Sequence, residues 1–407
     1  MSWQALRYRL PSPVSLIHSM NPRAARVADI APFQVMEVQT AARAIEAAGR
    51  DVVHMEIGEP DFPTPQPVLD AAARALAKGD FYYTSALGIS ALREAIAQHY
   101  TDHYGASVDP SRVVVTAGSS AALLLVLALA IDRDAELLLA DPGYPCNRHF
   151  VRVLEGRAVG LPVGPAERYQ PTRRQVEAAW NERTRGCLIA SPSNPTGTSI
   201  EPAELAAIAD AVAARHGHLI VDEIYLGLSY GAAPRSVLSS RGDAFVLSSF
   251  SKYFNMTGWR LGWIVAPEGC ERDLEKLAQN LYISPSSLAQ RAALAAFLPG
   301  TIEILEQRRE AFRARRDFLV PALRSLGFGI PGMPSGGFFV YADISRWSGD
   351  SLRFASEVLQ ATGVAFTPGV DFGANRTQVH VRFAYTVGLE RLEEGAERLA
   401  RYLQAMR

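Results

Sequence analysis

The chain has 407 residues, 48% of them hydrophobic and 20% charged, which is enough apolar material for a large core and, at this length, for two domains. A formal net charge of -1 gives no electrostatic reason to bind nucleic acid or an acidic membrane surface. The cysteines, Cys146, Cys187 and Cys270, are odd in number and lack C-x-x-C spacing, which argues against a disulfide framework or structural zinc and fits a reducing cytoplasm.

Residues 1–28 contain no acidic side chain but carry Arg7, Arg9, Arg23 and Arg26. This has the flavour of a transit peptide, but a weakly ordered N-terminal extension is the preferred reading, with Met20 an alternative start to Met1. Helical apolar spacing begins at Phe33 and runs to Ala48. From about Phe62 helices and strands alternate. Ser90–Tyr100 reads as a helix, Arg112–Thr116 (RVVVT) as a strand, and the run after Ser120 as an apolar helix. That run, Ala121–Ile131, is too short to span a bilayer and reads as buried. ELLLA at Glu136, GCLIA at Gly186, HLIV at His218 and AFVLS at Ala244 read as further strands, with a helix at Pro202–Arg215 between them. Short apolar strands alternating with helices predict an α/β fold, a mostly parallel sheet flanked by helices. After residue 300 the pattern changes. A long arginine-rich helix (Ile302–Leu326), strands at Gly337–Ala342 and Val379–Phe383 and a last helix from Leu389 predict a smaller α+β domain. The expected division is a large domain over 62–300 and a small one made of 29–61 and 301–407.

Gly327–Gly332 matches G-x-G-x-x-G, but it follows a helix and contains Pro331, so a turn is expected there, not a dinucleotide site. The eight histidines are scattered, without metal-ligand spacing.

Four polar clusters follow predicted strands, where ligand sites of open α/β sheets lie. They are Gly118-Ser119-Ser120, Ser193 to Gly197, Asp222 to Tyr225, and Ser249-Phe250-Ser251-Lys252. Only three lysines exist, Lys78, Lys252 and Lys276. Lys78 and Lys276 sit in polar helical contexts, whereas Lys252 lies between a strand and a Gly/Trp-rich stretch, where an amine could act as a Schiff-base nucleophile. Asp222, at the end of HLIV, reads as an N-cap or as the partner of a buried cation; beside Lys252 the second reading is favoured. Gly118-Ser119-Ser120 opens a helix and is either a plain cap or a phosphate cradle. Arg260, eight residues after Lys252, would be a phosphate clamp or a surface arginine.

Together SPSNPTGT, VDEIYLGLSY, SSFSKYFNMTGWRLGW, IGEPDF, YYTSALGISALREAI and DPGYP resemble the signatures of the class I/II aminotransferases, fold-type I enzymes dependent on pyridoxal 5'-phosphate (PLP). The resemblance runs from about Ala31 to the C-terminus in the family's order. It implies that Lys252 forms the Schiff base and shuttles a proton, that Asp222 pairs with the pyridine nitrogen, and that Tyr225 and Asn194 bond the PLP hydroxyl oxygen. It further implies Tyr144 stacked on the ring, and Ser119, Ser120, Ser249, Ser251 and Arg260 around the phosphate. Tyr83 would reach the cofactor of a neighbouring subunit, hence a homodimer with composite sites. Arg382 would bind the substrate α-carboxylate, with Asn194 and the Gly58 backbone beside it. The implied reaction is ping-pong transfer of an amino group from an L-amino acid to a 2-oxo acid. A carbon–sulfur lyase on the same fold and a non-catalytic regulatory domain are the alternatives. The second lacks its DNA-binding module, for no helix-turn-helix pattern precedes the match. The motifs leave the amino acid unspecified.

Overall fold

The computed structural model describes residues 23–406. The N-terminal extension expected over 1–28 therefore lies largely outside the described residues; its last part enters a single 3₁₀ turn at Ala25–Asp29.

Eleven strands occur among the described residues: β1 Val53–Met55, β2 Val113–Thr116, β3 Glu136–Asp141, β4 Arg157–Pro162, β5 Thr184–Ala190, β6 His218–Asp222, β7 Phe245–Ser249, β8 Gly262–Val265, β9 Phe339–Asp343, β10 Val364–Pro368 and β11 His380–Ala384. They form two sheets. The larger has the order β2-β8-β7-β6-β5-β3-β4, and the smaller β1-β10-β11-β9. In the larger sheet every pairing is parallel except those of β8, which runs antiparallel to both β2 and β7. β2, β7 and β8 are buried end to end and β3, β5 and β6 over most of their length, which is why they read in the sequence as short apolar runs. The edge strand β4 alternates weakly and carries Gly160 and Pro162, so its sequence hides it.

The helices are α1 Gln34–Ala47, α2 Gln66–Lys78, α3 Ser90–Tyr104, α4 Ser119–Ala130, α5 Pro145–Val153, α6 Arg173–Ala179, α7 Pro202–Ala213, α8 Glu271–Leu281, α9 Ser287–Ala293, α10 Pro299–Ser325, α11 Ser351–Thr362 and α12 Leu389–Ala405. Helix α4 is apolar on nearly all sides and packs against the larger sheet, where Leu125, Val126 and Leu127 are fully buried. No single helix among the described residues is long and apolar enough to cross a membrane.

The smaller sheet joins the two chain ends. β1 pairs parallel with β10, Val53 opposite Val364. Leaving β1, the chain enters the IGEPDF loop. Arg315 of α10 grips that loop by a two-pronged pair with Asp61 (2.8 and 2.9 Å), and the Thr386 hydroxyl donates to the Ile57 carbonyl at 3.1 Å. The Gly327–Gly332 segment is a turn; Gly329 bridges Asp343 at the end of β9, and no helix follows it.

Candidate active site

The carboxyl ends of β2, β5, β6 and β7 open on one cleft, closed on its other side by the IGEPDF loop, the start of α1 and strand β11. A cavity of about 260 Å³ lies there. Gly118, at the start of α4, has φ +84, and a side chain on it would fall 2.6 Å from Arg260 Nη2. Glycine therefore lets the first turn of α4 meet the guanidinium. No side chain caps α4, so its opening amides are left for an anion, with Ser119, Ser120 and Arg260 lining the cavity beside them.

Lys252 stands in the turn that leaves β7. Ser249 Oγ accepts from the Ser251 amide (3.0 Å) and lies 2.9 Å from Ser251 Oγ, which fixes this turn. The Lys252 amine donates to the Gly58 carbonyl at 2.7 Å. Burial lowers its pKa from 10.5 to about 8, with the carboxylate of Glu59 opposing the shift. Near neutral pH far more of it is therefore free amine than for an exposed lysine, and that is the form that attacks a carbonyl. Gly58 is required by close approach, since a Cβ there would meet the Phe339 ring at 2.6 Å.

Asp222 ends β6 and accepts the Ile224 amide at 3.0 Å. Burial lifts its carboxyl from 3.8 to about 6, with the backbone bond and Lys252 pulling the other way. A carboxylate held so high lacks a close cationic partner and would gain from one. Neighbouring Glu223 points away, accepting the Val237 amide at 2.7 Å. Tyr225 is wedged edge-on against Phe338 and Phe339.

Arg382, on β11, is 2% exposed. It donates to Asn194 Oδ1 (2.8 Å) and to the Glu56 carbonyl (2.6 Å), and it stacks over Phe339 at 4.2 Å. Its Nε has no partner, a buried donor that still needs an acceptor. Nη2 also donates to the Thr367 hydroxyl at 3.2 Å, so Nε is the donor left for an acceptor such as a carboxylate oxygen.

Of the residues expected from the sequence, Gly58, Ser119, Ser120, Tyr144, Asn194 and Asp222 line this one cavity, as do Tyr225, Ser251, Lys252, Arg260 and Arg382. Two do not. Ser249 is buried behind the wall, bonded to Ser251. Tyr83 is 81% exposed, in a run of three exposed aromatics, Phe81, Tyr82 and Tyr83. Gly58 meets the site through its backbone, and its carbonyl accepts from the Lys252 amine.

Sequence reasoning missed the wall formed by Phe33, Val35, Met36 and Ile57 and the group that holds it. Asp371 accepts the Gln34 and Val35 amides at 3.0 and 3.3 Å, capping α1 from 336 residues away. Its burial pushes its carboxyl up. The one local hint was an acid set between apolar residues in PGVDFG.

A family model described as aminotransferase class I and II matches residues 50–399. The valine–pyruvate aminotransferase of Mycobacterium tuberculosis is 40% identical over 94% of this chain and 99% of its own length. The aspartate/prephenate aminotransferase of Thermus thermophilus is 34% identical over 93% and 98%. A crystal structure of an aminotransferase from Mycobacterium tuberculosis superposes with a TM-score of 0.91 at 39% identity, covering 95% of this chain and all of that one.

Proposed function

From the premise that this chain belongs to the class I and II aminotransferases, and so moves an amino group between an amino acid and a 2-oxo acid, we propose that PLP occupies the cavity at the strand ends and that Lys252 holds it. One observation carries this reading. The lysine of lowered pKa, a buried carboxylate without an ion-paired cation and an arginine with an unpaired buried Nε face a single cavity. The three match the aldehyde, the pyridine nitrogen and the substrate carboxylate in turn.

When bound, PLP supplies an aldehyde that condenses with amines and a cationic ring that draws electrons from bonds at the substrate Cα. Lys252 would hold that aldehyde and then move the Cα proton. Asp222 keeps the ring nitrogen protonated. The amides of α4, Ser119, Ser120, Ser251 and Arg260 hold the phosphate. Tyr144 would lie against the ring, and Tyr225 and Asn194 would bond its hydroxyl oxygen. Arg382 would offer its unpaired Nε to the substrate α-carboxylate.

With PLP, an L-amino acid and pyruvate, the expected result is a new 2-oxo acid formed in step with alanine, with parallel lines in a double-reciprocal plot. Release of pyruvate and ammonia from cystathionine, without amino-group exchange, would show a lyase instead.

Two further features belong to this proposal. The chain works as a homodimer, because Phe81, Tyr82 and Tyr83 expose a continuous aromatic surface that a second copy would cover, bringing Tyr83 to the partner's cofactor phosphate. Sedimentation at twice the mass of the chain is expected; a monomer at micromolar concentration would overturn it. It acts in the cytoplasm, a reading supported by three unpaired thiols.

A further inference from the structure

We propose that this site takes L-amino acids with apolar side chains, and that Asp371 sets the preference by holding the wall that receives them. The inference rests on reading the cavity as a PLP aminotransferase site.

The positions of Arg382 and Lys252 orient the substrate. With the α-carboxylate on Arg382 and the amino group toward Lys252, the side chain must leave Cα toward what remains of the lining. On the side opposite the strand ends that lining is Phe33, Val35 and Met36 from the start of α1, and Ile57 from the loop after β1. All four are apolar. Three cations line the cavity among the described residues, Lys252, Arg260 and Arg382, and each already has a task. Within one copy, none is left to neutralise a side-chain carboxylate. Of the two acidic lining residues, Asp222 is assigned to the ring nitrogen, and Glu59 would repel one. An acidic side chain would thus lose water and gain no partner. A basic side chain could meet Glu59, but Glu59 is exposed, and exposed pairs contribute little.

The wall is not anchored by its own helix. Phe33 stands at the N-cap of α1 and offers no side-chain acceptor. Asp371 supplies both acceptors, and Arg148 in turn donates to the Asp371 carbonyl at 2.8 Å. The capped turn holds the Phe33 ring edge-on to Tyr144, with centroids 6.2 Å apart. Asp371 touches no substrate atom in this arrangement. It is a positioning residue.

The test uses the PLP-loaded enzyme and single half-reactions, followed by the cofactor's visible absorbance without any acceptor. L-valine, L-leucine and L-methionine are expected to react with kcat/KM at least ~100-fold above L-aspartate, L-glutamate and L-arginine. Equal or reversed preference would overturn the inference while leaving the transferase reading intact. Unreactive acids separate the two readings further. 4-Methylpentanoate should perturb the absorbance at ~10-fold lower concentration than pentanedioate, whether or not any donor turns over. If no amino acid reacts at all, it is the transferase reading that falls. Asp371→Ala should raise KM for leucine ~10-fold with a much smaller change in kcat and narrow the donor ratio, whereas Asp371→Asn, which still accepts an amide, should restore most of it. Met36→Arg places a cation on an exposed position of the same wall and should raise use of glutamate relative to leucine at least ~10-fold. An unchanged ratio in Met36→Arg or in Asp371→Ala would overturn the role given to this wall.

Discussion

Replacing Lys252 with alanine is expected to leave a folded protein whose amino-group transfer has fallen on the order of 10⁴-fold or more, with loss of the absorbance of lysine-bound PLP. The side chain does two jobs at one atom. In the role proposed for it, its amine would hold the cofactor and afterwards carry the Cα proton. The pocket tunes it for both, since burial brings its pKa down to about 8 and the Gly58 carbonyl 2.7 Å away aims it. No other amine can substitute. Lys78 ends α2 on the surface, and exposed Lys276 pairs with Asp273 on α8. The fold should survive, because the Lys252 side chain makes a single hydrogen bond, and that to a loop. Turnover within tenfold of the unaltered enzyme across several amino donors would remove Lys252 from its role.

Asp222→Asn should change activity and stability in opposite directions. Loss of the charge facing the ring nitrogen should lower kcat roughly 10²–10³-fold. In the cofactor-free chain the same carboxylate is a liability. Its carboxyl titrates near 6 in the fold against 3.8 when unfolded, because burial disfavours the charged form. Between those values the folded chain binds a proton that the unfolded chain has released, so stability falls as pH rises through this window and stays lower above it. The cost is about 1–3 kcal/mol. Asparagine keeps an acceptor for the Ile224 amide without the charge. Cofactor-free Asp222→Asn should therefore unfold at a higher denaturant concentration than the parent at pH 8, with the difference vanishing near pH 4. A less stable variant at pH 8 would show that the carboxylate has a stabilising partner in the empty site.

Both residues were legible in the sequence because their surroundings are local. A strand, a tight polar turn and the start of a helix fall within a dozen residues, so HLIVDEIY and LSSFSK announce themselves. The interior strands were legible for a related reason, since burial on both faces leaves short unbroken apolar runs. What escaped depends on pairings that no window contains. β8, four residues inside the Gly/Trp-rich stretch, is a strand because β2 and β7 flank it antiparallel. β1 and β10 are short and complete each other across the chain. Asp371 became a cap only when α1 was brought to it. Arg382 was placed in the site by resemblance, but its hold on the Glu56 carbonyl joins residues 326 positions apart.

The pairing of β1 with β10 also sets an order of events during synthesis. Val53 and Met55 are fully buried in the finished sheet, yet the strand that covers them lies some 300 residues later in the chain. At ~5–20 residues per second, β1 waits roughly 15–60 s on the ribosome with its apolar face and open edge unmatched. The larger sheet, from β2 to β8, can close during that interval. The amino-terminal segment, with the substrate wall it carries, can dock only after release of nearly the whole chain, so it is there that a nascent molecule most needs a chaperone's shelter.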